Sequence, residues 1–242
     1  RAVTELALAE GAPPQRAVFA ALDNDHYQAV AVFGSLVRET GHRSRPARIE
    51  VVVGDDALNS SRFKSRDRLP RVVRRPNLIV EDVPLGIERD LWISTDGAYK
   101  AAVKQWLVKT GARAALGGDP PPPDWSAGGA VAAVDLTPFE PVDRDALRDL
   151  AVEVSARLRE VGGLRHGEVR ARATDGRYYL VTSDGTVLAQ PEGYAVVYAW
   201  ADLLREDGVQ VYDRRQWVAR TGAELPSAAE IGAEVEAMGR SL

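Results

Sequence analysis

The chain of 242 residues carries 31 Lys plus Arg against 35 Asp plus Glu, a net charge of −4, with 45% hydrophobic and 27% charged residues. This is the composition of a soluble globular protein with enough length for one large domain or two small ones, and its mild acidity offers no global attraction to nucleic acid or anionic lipid. Cysteine is absent, which excludes disulfides, thiolate nucleophiles and Cys-ligated zinc, and is equally compatible with cytoplasm and periplasm.

In chain order, residues 16–22, 27–40 and 47–54 read as three strands, Ile49, Val51 and Val53 sharing one face by period-two alternation. Asp23, Asn24 and Asp25 predict a turn between the first two, because such side chains bond their own backbone. Gly34 interrupts a β-branched run and predicts a bulge or a close backbone approach. A helix follows, with Tyr99, Ala102, Val103, Trp106 and Leu107 on one apolar stripe. Residues 114–141 combine two Gly-Gly pairs with four consecutive prolines, which predicts a long connection lacking a regular helix or central strand.

Beyond it, residues 143–161 form a second amphipathic pattern with Leu147, Leu150, Ala151, Val154, Leu158 and Val161 on one face, ended by Gly162 and Gly163. Three Asp-Gly pairs, at 175–176, 184–185 and 207–208, then predict hairpins joining four antiparallel strands. Ser227 and Glu230 form a capping box for a last helix that carries Ile231, Val235 and Met238 on one side. The predicted class is therefore α+β: an antiparallel or mixed sheet with long amphipathic helices, in two α+β halves, 1–113 and 142–242, joined by the Pro/Gly-rich connection 114–141. No run of about 18 apolar residues is present, so no membrane-spanning helix is expected. The opening Arg1 rather than Met suggests that a leader or other preceding segment has been removed or left out, and residues 1–242 show no signal-peptide pattern.

The search for chemistry returns little. His26, His42 and His166 are the three histidines; none lies in an HExxH or HExxxH pattern, and dispersed loop histidines are ordinary polar residues rather than zinc ligands. Gly34-Ser35 lacks the G-x-S-x-G of a nucleophile elbow, and no Gly-rich phosphate loop follows a strand. Asp55 and Asp56 could hold a cation or act as an acid–base pair, but adjacent residues at a strand end point in different directions, which favours a polar turn leading to Asn59, Ser60 and Ser61. Residues 62–75 hold seven basic residues and one acid. Such a loop could track phosphates, with Phe63 stacking, although the acidity of the remainder argues against nucleic acid.

Four segments, 27–40, 47–63, 91–109 and 178–192, resemble the amino-terminal domain of the TldD/PmbA family of zinc metallopeptidases, in particular its long bacterial subfamily. A VxVGD-like strand is followed by W-x-x-T-D-x-A-Y-K and then by S-[DE]-G-T. The matching positions are Phe33, Gly34, Val53, Gly54, Asp55 and Asn59, then Trp92, Thr95, Asp96, Tyr99 and Lys100, then Ser183, Gly185 and Thr186. They match as framework and transfer no catalytic role. The resemblance implies a non-catalytic, substrate-guiding and assembly domain spanning 1–242, with zinc held only by a carboxyl-terminal domain beyond Leu242. It also implies a peptide substrate, a homo- or hetero-dimer in the full assembly, and the cytoplasm or periplasm of a bacterium. On this reading no cofactor and no catalytic residue belongs to the chain. Ile231, Val235 and Met238 are expected to be an interface stripe, partly exposed where the missing domain or a partner subunit would cover them. The alternative is a stand-alone binding or scaffold protein that uses the same fold without catalysis.

Overall fold

A computed structural model describes residues 14–61, 63, 72–116, 123–124, 128–138 and 142–242. The elements run β1 (Pro14–Val32), β2 (Ser35–Ser44), β3 (Ala47–Val53), β4 (Val73–Arg74), α1 (Pro84–Leu116), β5 (Ala132–Val134), α2 (Arg144–Arg159), β6 (Leu164–Thr182), β7 (Val187–Leu204), β8 (Gln210–Ala219) and α3 (Ala228–Ser241). The expected α+β class is observed. The sheet order is β4-β3-β1-β6-β7-β5, with β2 also paired to β1 and β8 to β7; the pairing is antiparallel except for β5, which runs parallel to β7.

Two compact units are present, and they interleave along the chain rather than following one another. The first comprises residues 1–23, 44–137 and 178–190, the second 24–43, 138–177 and 191–242. The long strands β1, β6 and β7 contribute to both.

In the first unit α1 lies on β3. Ala17, Ile49, Val51 and Val53 from the strands meet Ala98, Tyr99 and Ala102 of the helix, with Val103 and Trp106 partly buried beside them. Small residues on the helix allow close approach, and each fully buried Ile or Val contributes about 1.5–3 kcal/mol. Leu107, placed on this stripe by its spacing, is instead exposed. The connection 114–141 departs from expectation at its start, where α1 extends to Leu116, while the strand it holds, β5, lies at the sheet edge and not as a central strand.

In the second unit α2 and α3 cover one face of the sheet. Alanines alternate on the covered face, Ala29 and Ala31 on β1, Ala171 and Ala173 on β6, and Ala195, Ala199 and Ala201 on β7. They leave room for Leu147, Val154 and Leu158 of α2 and for Ile231, Val235 and Met238 of α3. Asp143 caps α2 by accepting from the Ala146 N–H at 3.0 Å, and the Ser227–Glu230 capping box is formed in both directions. The expected exposure of the α3 stripe is not found. Ile231, Val235 and Met238 are 0%, 0% and 2% exposed within this chain, because α2 and the sheet supply the apolar partner that a second domain was expected to provide.

Two predicted turns are absent. β1 runs straight through 23–25 and β6 through 175–176. At each, tertiary partners take the polar side chains that would otherwise close a turn: Asp23 accepts from Arg45 at 2.7 Å, Asp25 from Arg144 at 2.6 Å, and Asp175 from the Val142 N–H at 2.9 Å. The four expected strands are thus three, β6 to β8. The turns at 184–185 and 207–208 form as expected, with Gly185 and Gly208 at φ 96° and 81°. Gly34 marks the β1–β2 hairpin rather than a bulge, with Phe33 at φ 48° and Gly34 at φ 81°, and the expected close backbone approach is present, since a Cβ there would lie 3.0 Å from Ala156 Cβ and 3.3 Å from Ala156 Cα.

Candidate functional site

The framework positions do structural work. Gly54 ends β3, and Asn59 behind it is fully buried, its amide donating to Asp55 O at 3.1 Å and its Oδ1 accepting from Ser61 N at 2.9 Å. The Lys109 ammonium of α1 donates to Asn59 O at 2.9 Å, Ser61 O at 3.0 Å and Asp124 at 2.5 Å. Asp124 also accepts from the Asn59 N–H at 2.9 Å, so one carboxylate ties the Pro-rich connection to the strand end and to α1. Burial pushes the Asp124 carboxyl up, but Asn59, Lys109 and Arg113 outweigh it and leave it below the usual carboxylate range.

Asp55 and Asp56 do not form a site. Asp55 accepts from the Leu58 N–H at 2.7 Å, closing the turn, and Asp56 accepts from Gln15. Ser183 accepts from the Ala17 N–H at 2.9 Å and donates its own N–H back to Ala17 O at 2.9 Å, pinning the β6–β7 hairpin to β1. Thr95 is buried and donates to Leu91 O at 2.6 Å, Asp96 pairs with Lys100 at 2.7 Å, and Trp92 is exposed. The basic segment 62–75 lies mostly outside the described residues; within them, Arg74 donates to Gly97 O at 3.1 Å. Ser35 opens β2, directly after a turn whose Gly34 N–H donates to Ser155 at 2.9 Å.

The three histidines sit on strands rather than in loops. His26 and His42 stack at 4.8 Å, and His26 Nδ1 lies 3.1 Å from the Thr174 hydroxyl. His166 lies 5.1 Å from the Trp200 ring and 3.6 Å from Glu168. Among the described residues no three His, Asp or Glu side chains converge as a metal set would. Burial lowers the His26 pKa below 6.5 and His42 adds to this, with Asp25 opposing. The unfolded chain therefore takes up a proton at this position before the folded one does. Stability contributed here is present above pH 6.5 and lost as pH falls through the folded value. A loss of less than about 1 kcal/mol is expected between pH 7 and 5, since solvent screens a partly exposed pair. Thermal melts of the chain and of His26→Gln check it: the variant should show the shallower acid slope.

One concave feature of the second unit is a groove of about 590 Å³ on the sheet face opposite α2 and α3. Arg170 and Arg172 of β6, Tyr198 and Trp200 of β7, and Tyr212 and Arg214 of β8 line it. The alternation that buries Val169, Ala171, Val197 and Ala199 under the helices turns these neighbours outward. Register then sets Trp200 opposite Arg214 and Tyr198 opposite Gln216. Glu168, in the same groove, accepts from Arg170. Arg172 donates to Gln28 at 2.6 Å and its guanidinium lies 5.7 Å over the Tyr198 ring. Arg214 has no ion-pair partner among the described residues. None of these residues was singled out from sequence. The signal was there, two arginines alternating on one strand and two aromatic residues alternating on the next, but its meaning depends on which strands pair.

No protein-family model and no curated protein matches the chain. Solved structures do. A proposed modulator of a DNA gyrase from Thermotoga maritima matches at 12% identity with TM-score 0.56, covering 94% of this chain and 44% of that one. TldE from Thermococcus kodakarensis matches at 13% identity with TM-score 0.53, covering 93% and 43%. A proposed modulator of DNA gyrase from Bacteroides thetaiotaomicron matches at 9% identity with TM-score 0.56, covering 91% and 45%. These are structures of the TldD/PmbA kind, so the resemblance carried by the sequence segments is met in the fold. The chain spans less than half the length of each.

Proposed function

We infer that this chain, folded like part of TldE and of the two proposed gyrase modulators, is the substrate-guiding and assembly domain of a TldD/PmbA-like zinc peptidase acting on peptides. The observation that carries this reading is the asymmetry of coverage. More than nine-tenths of this chain corresponds to less than half of each longer protein, as expected of one domain of a larger machine. The zinc implied by the resemblance does not fit the donors of this chain. His26 is committed to His42 and Thr174, and His166 to Trp200 and Glu168, so no step is routed through a metal here. In this reading the metal belongs to another domain or subunit, paired with this one as a homo- or hetero-dimer, and this chain positions the peptide.

Burial of the Ile231, Val235 and Met238 stripe within the chain favours a second reading, a stand-alone binding or scaffold protein, because α3 asks for no further partner. The coding frame past the Leu242 codon separates the two: a following domain with HExxxH supports the guiding role, and a stop codon supports the scaffold. For either reading, residues 1–242 incubated with unfolded casein and zinc should release no fragments above the buffer blank. Chelator-sensitive hydrolysis by this chain alone would overturn both.

A further inference from the structure

The whole chain is acidic, with net charge −4, yet the groove across β6, β7 and β8 is cationic. Its lining acid, Glu168, is held by Arg170 and faces His166, and Asp202 farther along β7 is held by Arg165 at 2.9 Å. Arg172 is bonded to a neutral amide, and the Arg214 guanidinium has no acidic partner among the described residues, its backbone N–H alone donating to Asp213. Two guanidinium groups therefore face the groove without a counter-charge, beside a Tyr212 ring that is 66% exposed. A concave wall lined with one sign of charge concentrates ligands of the other, and the planar guanidinium fork matches a carboxylate in two parallel hydrogen bonds.

Spacing and ring access select the ligand. Arg172 on β6 and Arg214 on β8 stand with β7 between them, two strand spacings of about 4.7–4.9 Å across the sheet, so an extended peptide crossing the groove meets both guanidinium groups. Single-stranded nucleic acid needs free ring faces for its bases. Here Arg172 lies over Tyr198 and His166 lies against Trp200, which leaves Tyr212 as the open ring of the groove.

We propose that this groove binds an extended acidic peptide, with carboxylates taken by Arg172 and Arg214 and an apolar side chain packed on Tyr212. The inference rests on the peptide-guiding reading and names the class of peptide and the place where it is held.

The test is fluorescence anisotropy of a labelled peptide of about ten residues alternating Glu and Leu, titrated with residues 1–242 beside its Gln-Leu counterpart. The Glu peptide is expected to bind at least about tenfold more tightly, and added salt should weaken it. Arg214→Glu and Tyr212→Ala, both exposed positions that should fold normally, are each expected to weaken binding, the first by about tenfold or more. Lys100→Glu on α1 should leave binding unchanged. Equal affinity for the two peptides, or wild-type affinity in Arg214→Glu, overturns the proposal, as does tighter binding of labelled oligothymidylate. The failures are separable. Loss of acid preference removes the groove and leaves the guiding domain standing, whereas chelator-sensitive hydrolysis of casein removes the guiding role and leaves the peptide affinities as measured.

Discussion

Gly54→Val is expected to destabilise the chain by about 3–5 kcal/mol, combining backbone strain with overpacking. Gly54 has φ 113°, outside the range that side chains with a Cβ adopt. A Cβ there would lie 2.3 Å from Leu58 O, 2.8 Å from Asn59 Cα and 2.9 Å from Trp106 Nε1. Two of these atoms are backbone, and the turn carrying them is closed by the Asp55 N–H to Leu58 O at 3.0 Å. Trp106 is no easier to displace, being packed against the first unit's core. The expected drop in thermal midpoint is about 6–20 °C for a chain of this size, read by circular dichroism. Gly128→Val is the control, since a Cβ there meets nothing within 4 Å. Equal melting of the two variants would remove the steric argument.

This turn also shows how far the sequence could be read. Gly54, Asp55 and Asn59 were legible as a polar turn after a strand, and the capping residues Asp143 and Ser227 as the starts of α2 and α3, because each works through bonds to residues three or four positions away. Asp23, Asn24, Asp25 and Asp175 have the same local chemistry and misled for the same reason. Arg45, Arg144 and the Val142 N–H reach Asp23, Asp25 and Asp175 across 22, 119 and 33 residues, and such partners leave no mark in a local pattern. The groove was hidden in the same way, since alternation on β6, β7 and β8 shows three strands with one outward polar face but not that the faces adjoin. The burial of Ile231, Val235 and Met238 was equally non-local: an apolar stripe states that something covers it, and only the fold says that α2 and the alanine-rich strands do.

Gly167→Val is expected to cost about 2–4 kcal/mol by overpacking in the second unit. A Cβ at Gly167 would sit 2.8 Å from Leu158 Cβ and 2.8 Å from Phe33 Cε1. Leu158 cannot yield, because it is fully buried between the sheet and α3. Phe33 is the softer neighbour, partly buried at the tip of the β1–β2 hairpin, yet that tip is fastened at several points. Phe33 N–H donates to Gly167 O at 3.1 Å, Gly34 N–H to Ser155 at 2.9 Å, and Arg159 to Phe33 O. Moving the ring therefore strains the hairpin's attachment to both β6 and α2. Phe33→Ala alone should cost about 1–3 kcal/mol through lost burial. In the double variant the Phe33 part of the clash is gone while the Leu158 part remains, so the summed loss should be undershot by about 1 kcal/mol or more. Denaturant melts of the four proteins measure this coupling. Additive losses would mean that glycine is needed at 167 for some reason other than the Phe33 ring that lies over it.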